Sequence, residues 1–331
     1  MRYVYIIGNE HQLTQVYASI SHFNVLLEDI TLLIQDLKSD NALYNKVINE
    51  SQFGEVIAFP NWTFSDILKF NTKSDHFIHL CEELKLKYKE IFFFASHYSD
   101  DSTLIALNLL KPEKFYLMDE GTASYTVLER RNSSDLLFKT KLLFKSIIYR
   151  KYIHLPYSLI YFTKFNFTAA KGDTKEVYKI EKIKNVVKSF TNQFAFLGSS
   201  IVELSILSLN VYLFFLKTIA NRNSDKELLY FSHRKEDSDK LEAVERIGYK
   251  VIKLDEPFER YFSINVDLPD TLGSFYTTSV LINISENFVN VPNLEVYSFS
   301  VKELRYQKKV FQNVLTYIRS DPKIRIINLE I

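Results

Sequence analysis

Glycine is scarce in this 331-residue chain, with seven in all, alongside seven prolines, two methionines, one tryptophan and one cysteine. So few glycines argue against a glycine-cradled dinucleotide, and neither a GxGxxG run nor a Walker P-loop occurs. The lone Cys81 allows no intrachain disulfide and no cysteine-based zinc site. Its apolar-periodic surroundings, HFIHLCEELKLK, predict a buried structural thiol. The formal net charge is +1, without the basic excess of a dedicated nucleic-acid binder, so no nucleic-acid partner is expected. No signal peptide is expected either: in MRYVYIIGNEHQL the apolar run is short and no small-residue cleavage site follows. That segment reads as a first buried strand, and a cytoplasmic location is expected. One apolar stretch, 194–216, is long enough to span a bilayer. Glu203, Asn210 and Ser199, Ser200, Ser205 and Ser208 interrupt it, so the expectation is a short strand, a turn and a buried helix over 201–221.

What the chain does have is apolar mass. Hydrophobic residues make up 47% and charged ones 24%, a globular composition with enough for two cores. Aromatics reach 15%, carried by 27 Phe and 21 Tyr, and core filling is their ordinary use. Strand-like runs at 2–8, 30–36, 54–60, 89–96 and 113–119 alternate with helical spacing at 10–23, 74–87 and 100–110. A second alternating series begins near 193: FAFLG, the 201–221 helix, KELLYFS, a helix over 236–248 closed by Gly248, YKVIKLD, PNLEVYSF and a long helix over 301–319. Continuous β-rich runs between helices imply parallel sheets covered on both faces. The predicted class is therefore α/β, two Rossmann-like domains facing a central cleft. The expected divisions are 1–130 for an acceptor-side domain and 131–190 for a basic, aromatic, helical connection. A nucleotide-binding domain then covers 191–300, and a closing helix and tail 301–331. In the connection, Lys139, Lys141, Lys145, Arg150, Lys151 and Lys164 are interleaved with Leu, Phe, Ile and Tyr. That pattern suits a peripheral contact with anionic lipid, a homodimer contact, or a solvated helix face.

Ligands of parallel sheets sit at the carboxyl ends of strands. After FYLM come Asp119, Glu120 and Gly121. Side chains alternate along a strand, so one of the two acids faces a site squarely. A carboxylate there suits a general base, while an acidic turn before a helix is the ordinary alternative. After LLYFS come His233 and Arg234, flanked by Ser232, a set that suits a phosphate as well as a surface helix entrance. His97, after IFFFAS, is an acceptor-side candidate. Gly198 follows FAFL, and Thr277 and Thr278 precede VLINI, where a helix start would offer free N–H groups to an anion or simply be capped. Glu259, in EPFER, suits a ribose diol or a solvated charge.

DEG at 119–121, YFSHRKE at 230–236, GYKVIKLDEPFE at 248–259 and LPDTLGSFYTTSVLINI at 268–284 follow one another in the order and spacing of bacterial sialyltransferases. The chain most resembles glycosyltransferase family 52, the lipooligosaccharide and capsule group. It departs from that pattern in having Ser232 and Arg234, where proline usually stands beside the motif histidine. The resemblance implies a GT-B fold and an inverting, single-displacement transfer of sialic acid from CMP-sialic acid to a hydroxyl of a bacterial surface glycan, a lipid-linked acceptor. It implies Asp119 as general base on the acceptor hydroxyl and His233 as the group that hydrogen-bonds the CMP phosphate and assists its departure as general acid. Gly198, Ser232, Arg234, Glu259, Thr277 and Thr278 would lie on the donor side, and Glu120, Gly121 and His97 on the acceptor side or in structural roles. No divalent-metal motif stands out, so no metal or cofactor is expected. Rival readings are a transferase for another CMP-nonulosonic acid (legionaminic, pseudaminic or Kdo) and a non-catalytic nucleotide-binding subunit of a polysaccharide assembly complex.

Overall fold

The computed structural model describes residues 1–36, 42–50, 52–62, 73–119, 123–132, 136–149, 153–179, 182, 184–255 and 257–330. The chain divides into two compact units, Met1–Lys179 and Ile180–Ile331.

In the first unit a seven-stranded sheet runs in the order β3-β2-β1-β4-β5-β6-β7. Its strands are β1 (Arg2–Ile7), β2 (Ile30–Asp36), β3 (Glu55–Pro60), β4 (Ile91–Ala95), β5 (Lys114–Met118), β6 (Ile160–Thr163) and β7 (Thr174–Val177). Every pairing is parallel. The helices are α1 (Glu10–Phe23), α2 (Ala42–Glu50), α3 (Lys73–Lys87), α4 (Asp101–Leu110), α5 (Ala123–Asn132) and α6 (Leu136–Tyr149). The alternation of side chains along each strand sorts the sheet into two apolar faces. One face presents Val4, Ile6, Phe93, Ala95 and Leu117 to Phe77, Cys81, Leu104 and Leu142 of the helices. On the other, the register sets Tyr5 beside Phe94 and Phe94 beside Tyr116. Their rings stack at 4.4 Å centroid separations, and Phe23 of α1 closes over them. Each such ring pair adds about 0.5–1.5 kcal/mol beyond its area. The aromatic wealth of this unit is thus largely core. Cys81 is buried as expected, and burial pushes its thiol well up.

The second unit holds a six-stranded parallel sheet in the order β10-β9-β8-β11-β12-β13. The strands are β8 (Ser189–Leu197), β9 (Glu227–Ser232), β10 (Lys250–Lys253), β11 (Asp267–Phe275), β12 (Asn293–Ser298) and β13 (Ile324–Asn328). Around it lie α7 (Leu209–Arg222), α8 (Ser238–Ile247), α9 (Phe258–Ile264), α10 (Val280–Asn287) and α11 (Lys308–Arg319). In both units the first strand stands next to the fourth, so the winding direction reverses between them, as in Rossmann folds.

Several expectations change. The 131–190 stretch is not a helical connection: α6 packs on the first unit's core, β6 and β7 extend its sheet, and the unit boundary falls at 179/180. The expected 201–221 helix begins only at Leu209, where the Ser208 hydroxyl accepts the Val211 N–H at 3.4 Å. Residues before it form turns, because Ser205 takes a positive φ of 58°. The expected 301–319 helix splits into a short 3-10 turn, Val301–Glu303, and α11. Its tail then supplies β13 to the sheet, so 301–331 is part of the second unit's core. Among the described residues no helix is long and apolar enough to cross a membrane.

Candidate functional site

The reversal point of the second unit lies between β8 and β11, with β9 on the far side of β8. Gly198 and Ser199 follow β8, His233 follows β9, and Tyr276, Thr277 and Thr278 follow β11. Because all three strands are parallel neighbours, the sheet brings these residues to one edge. Ser232 ends β9 itself, and its hydroxyl donates to the Ile252 carbonyl of β10 at 3.4 Å.

The turn after β9 is folded on its own polar groups. The His233 N–H donates to Glu236 Oε2 at 2.7 Å, and the Lys235 N–H donates to His233 Nδ1 at 3.2 Å. With Nδ1 an acceptor, the neutral ring carries its proton on Nε2. Burial lowers the His233 pKa from its ordinary value, and Arg234, Lys235 and Lys240 push the same way against Glu203. A neutral imidazole with an Nε2–H donor is the outcome. Arg234 is exposed.

Beneath the turn is a buried network that sequence reasoning missed. Glu236 Oε1 accepts from Tyr230 OH and from Lys240 Nζ, each at 2.6 Å. Lys240 also donates to the Ser199 carbonyl at 2.8 Å, approaches Glu203 at 3.5 Å, and lies 4.0 Å from the centroid of the Tyr212 ring. Tyr212 and Tyr230 share a 2.6 Å hydroxyl contact. Burial raises the Glu236 pKa, opposed chiefly by Lys240. The Glu236–Lys240 spacing was visible in the sequence, but an acid and a lysine four apart at a helix start normally face water. Only the packing puts both side chains at 2% exposure or less. Gly198 abuts this network: a Cβ there would stand 2.6 Å from both Glu236 Oε2 and Tyr230 OH. Gly198→Ala is therefore expected to lower unfolding stability by about 1–3 kcal/mol by overpacking. Urea denaturation checks this, and an unshifted midpoint would contradict it.

Ser199 Oγ, Tyr276 OH and Thr277 Oγ1 are buried with no hydrogen-bond partner among the described residues. Buried hydroxyls normally find one. Thr277 stands three residues before α10, and Thr278 Oγ1 accepts the Val280 N–H at 3.4 Å. Ser279, at the cap position, makes no side-chain cap bond. Orphan hydroxyls beside a helix N-terminus suit an anion. Glu259, on α9, accepts from Asn283 Nδ2 of α10 at 2.8 Å and so ties those two helices together.

In the first unit Asp119 follows β5 and is 1% exposed. Its Oδ1 accepts from Ser124 Oγ at 2.6 Å, and its Oδ2 accepts from the Lys164 N–H at 2.9 Å. Its carbonyl accepts from Gln15 of α1. Burial raises its pKa, opposed by Ser124, Lys164 and Thr163. The carboxylate thus joins the ends of β5 and β6 to the start of α5. His97 is exposed after β4, with Nε2 3.4 Å from Gln12 Nε2. Glu120 and Gly121 lie outside the described residues. Asp237-Ser238-Asp239 has the spacing of a DxD metal motif that sequence reasoning passed over. The structure places it, exposed, at the start of α8. Among the described residues no three His, Cys, Asp or Glu side chains are grouped to hold a metal ion.

The two units have the Rossmann-like architecture of GT-B glycosyltransferases. The crystal structure of Anabaena HepE in complex with UDP and glucose is similar at a TM-score of 0.51, with 9% identity, covering 98% of this chain and 91% of that one. Arabidopsis thaliana UGT89C1, complexed with UDP-L-rhamnose, is similar at 0.50, with 9% identity and coverage of 99% and 85%. A sialyltransferase from Photobacterium damsela is similar at 0.48, with 12% identity and coverage of 98% and 81%. No protein-family profile matches the sequence. A stretch of 196 residues, 56% of this chain, is 26% identical to the RecBCD enzyme subunit RecC of Buchnera aphidicola. The chain spans 18% of the length of that curated relative.

Proposed function

We propose that the chain is an inverting, metal-independent glycosyltransferase. It moves a sialic acid from CMP-sialic acid to a hydroxyl of a bacterial surface glycan. The observation that carries the reading is the His233 turn: a neutral imidazole, its tautomer set by the Lys235 N–H, at the carboxyl end of a strand beside the reversal point. Departure of CMP develops negative charge on phosphate, and a preorganised donor aimed at that charge is the main source of catalysis in such a step. His233 Nε2–H serves as that donor. Thr277, Thr278 and the first N–H groups of α10 take the phosphate or the sugar carboxylate. Gly198 lets the donor approach the backbone, and Glu259 meets the ribose. Arg234 adds fixed positive charge, while Ser232 keeps β9 against β10. On the acceptor side Asp119 takes the proton of the attacking hydroxyl, helped by a pKa raised through burial. The sugar passes through an oxocarbenium-like state and its anomeric configuration inverts.

The donor class rests on the order of the four motifs. Thermal unfolding with CMP, CMP-sialic acid, UDP and GDP tests it. At about 100 times Kd, a bound nucleotide stabilises by about 2.7 kcal/mol, a shift of roughly 5 °C or more. A rise with CMP and none with UDP supports the proposal, and a rise with UDP alone overturns it. Slow release of CMP from the donor without acceptor separates an active transferase from a nucleotide-binding subunit.

A further inference from the structure

Helix α6 is apolar on two sides. Inward, Leu142 and Tyr149 are buried in the first unit's core, and the Tyr149 hydroxyl accepts from Trp62 Nε1 at 3.0 Å and donates to Asp101 Oδ2 at 2.6 Å. Outward, Leu143, Phe144 and Ile147 are 62%, 56% and 68% exposed. Their spacing places them on one stripe. A surface helix ordinarily turns polar residues to the outside. Single exposed hydrophobics are common, but a contiguous stripe of large ones marks an interaction surface. Lys141 is exposed on the same helix, and Lys145 is paired with Asp101. From Leu136 to Tyr149 the sequence has Lys139, Lys141 and Lys145 and no acid. Ser146 pins the segment after the helix through the Ile153 N–H at 2.9 Å, and on that segment Tyr157 is 90% exposed.

We propose that this outward face of α6 docks on an anionic lipid surface, the three apolar side chains entering the acyl boundary and Lys141 meeting the headgroups. Charge chooses between occupants. A two-fold contact with a second copy would set a helix without carboxylates against itself, lysine facing lysine. Three side chains on one helix also fall far short of the roughly 800 Å² per partner of a stable protein interface. A bilayer bearing anionic lipid supplies both an apolar phase and the opposite charge.

Co-sedimentation of the full chain with two kinds of vesicle tests the proposal, one of phosphatidylcholine alone and one of phosphatidylcholine mixed with phosphatidylglycerol. The expected result is binding to the mixed vesicles that weakens with salt. Replacing Leu143, Phe144 and Ile147 together by serine should weaken it on the order of ten-fold. Lys141→Glu, a surface change that leaves the core untouched, should weaken it several-fold on the mixed vesicles only. Wild-type protein that stays in the supernatant, or variants that bind as well as wild type, would overturn the proposal. So would a wild-type dimer in sedimentation velocity that the serine variant turns into monomer, which assigns the face to a second copy. The nucleotide stabilisation above should be the same in all these variants, which keeps this test separate from that of the donor.

Discussion

His233→Ala is expected to lower kcat by about 100-fold or more, with a much smaller change in the KM for the donor. The size is that of deleting one preorganised donor at a site of developing negative charge, roughly 2.7–4 kcal/mol. The effect belongs in kcat because the phosphate charge grows only as the bond breaks. His233→Gln, which keeps an N–H donor, should recover part of the loss. The pH profile separates two modes of action. With its pKa lowered by burial and by the surrounding cations, His233 is neutral at pH 7, so a hydrogen-bonding role gives a kcat that stays flat as pH rises from about 7. A kcat that falls steeply with rising pH through the histidine range would instead mark a general acid. The same shift has a signature in stability. Because the folded pKa lies below the ordinary 6.5, the contribution of His233 is fully present above 6.5 and is lost as pH falls toward the lowered value. Steady-state kinetics with CMP-sialic acid reads the first effect. Unchanged kcat in His233→Ala would remove the imidazole from the mechanism.

Asp119→Asn is expected to cut turnover by about 100-fold or more, the usual size of a lost general base. Its structural cost should be small, for a reason visible in the contacts. The Ser124 hydroxyl can rotate to accept from the new amide, while the amide oxygen keeps the Lys164 N–H. Asp119→Ala, by contrast, leaves the Ser124 hydroxyl and the Lys164 N–H without their partner and should cost about 1–3 kcal/mol for each group left unsatisfied. Kinetics and thermal melting of both variants together decide the role. An Asn variant with full turnover ends the catalytic reading. One that loses stability rather than turnover makes Asp119 a tie between β5, β6 and α5. The raised pKa favours the base in acid–base terms: a carboxylate whose ionised form is disfavoured by burial holds a proton more strongly. Ionising it costs stability, a cost absent at acid pH and felt as pH rises through the folded value.

The candidate site was legible where chemistry sits at a strand end. His233, Gly198 and Thr277 each follow an apolar run, and the parallel sheet brings those ends side by side whatever fills the loops. The partners of His233 were not legible. Glu236 and Lys240 read as solvated charges, because the sequence spacing of a surface i,i+4 pair and of a buried one is the same. Asp119 was legible as an acid on a strand end, but its enclosure by Ser124 and Lys164 was not, since Lys164 lies 45 residues away and reaches it only through β6. The late start of α7 shows the limit of periodicity: IVELSILS carries helical spacing, yet its residues fold into turns and bends, and the helix starts only after its N-cap, Ser208.

By itself the amino-acid order determined that this chain is two alternating α/β series with strands buried on both faces, because period and apolar content are local properties that burial reads directly. It also determined which polar groups stand at the strand ends. The tertiary structure alone decided that β1 meets β4 and β8 meets β11, that β6 and β7 extend the first sheet, and that one lysine and one glutamate are sealed beneath the His233 turn. Those outcomes depend on crossover paths and on which distant groups compete for the same buried space, and no window of sequence contains either.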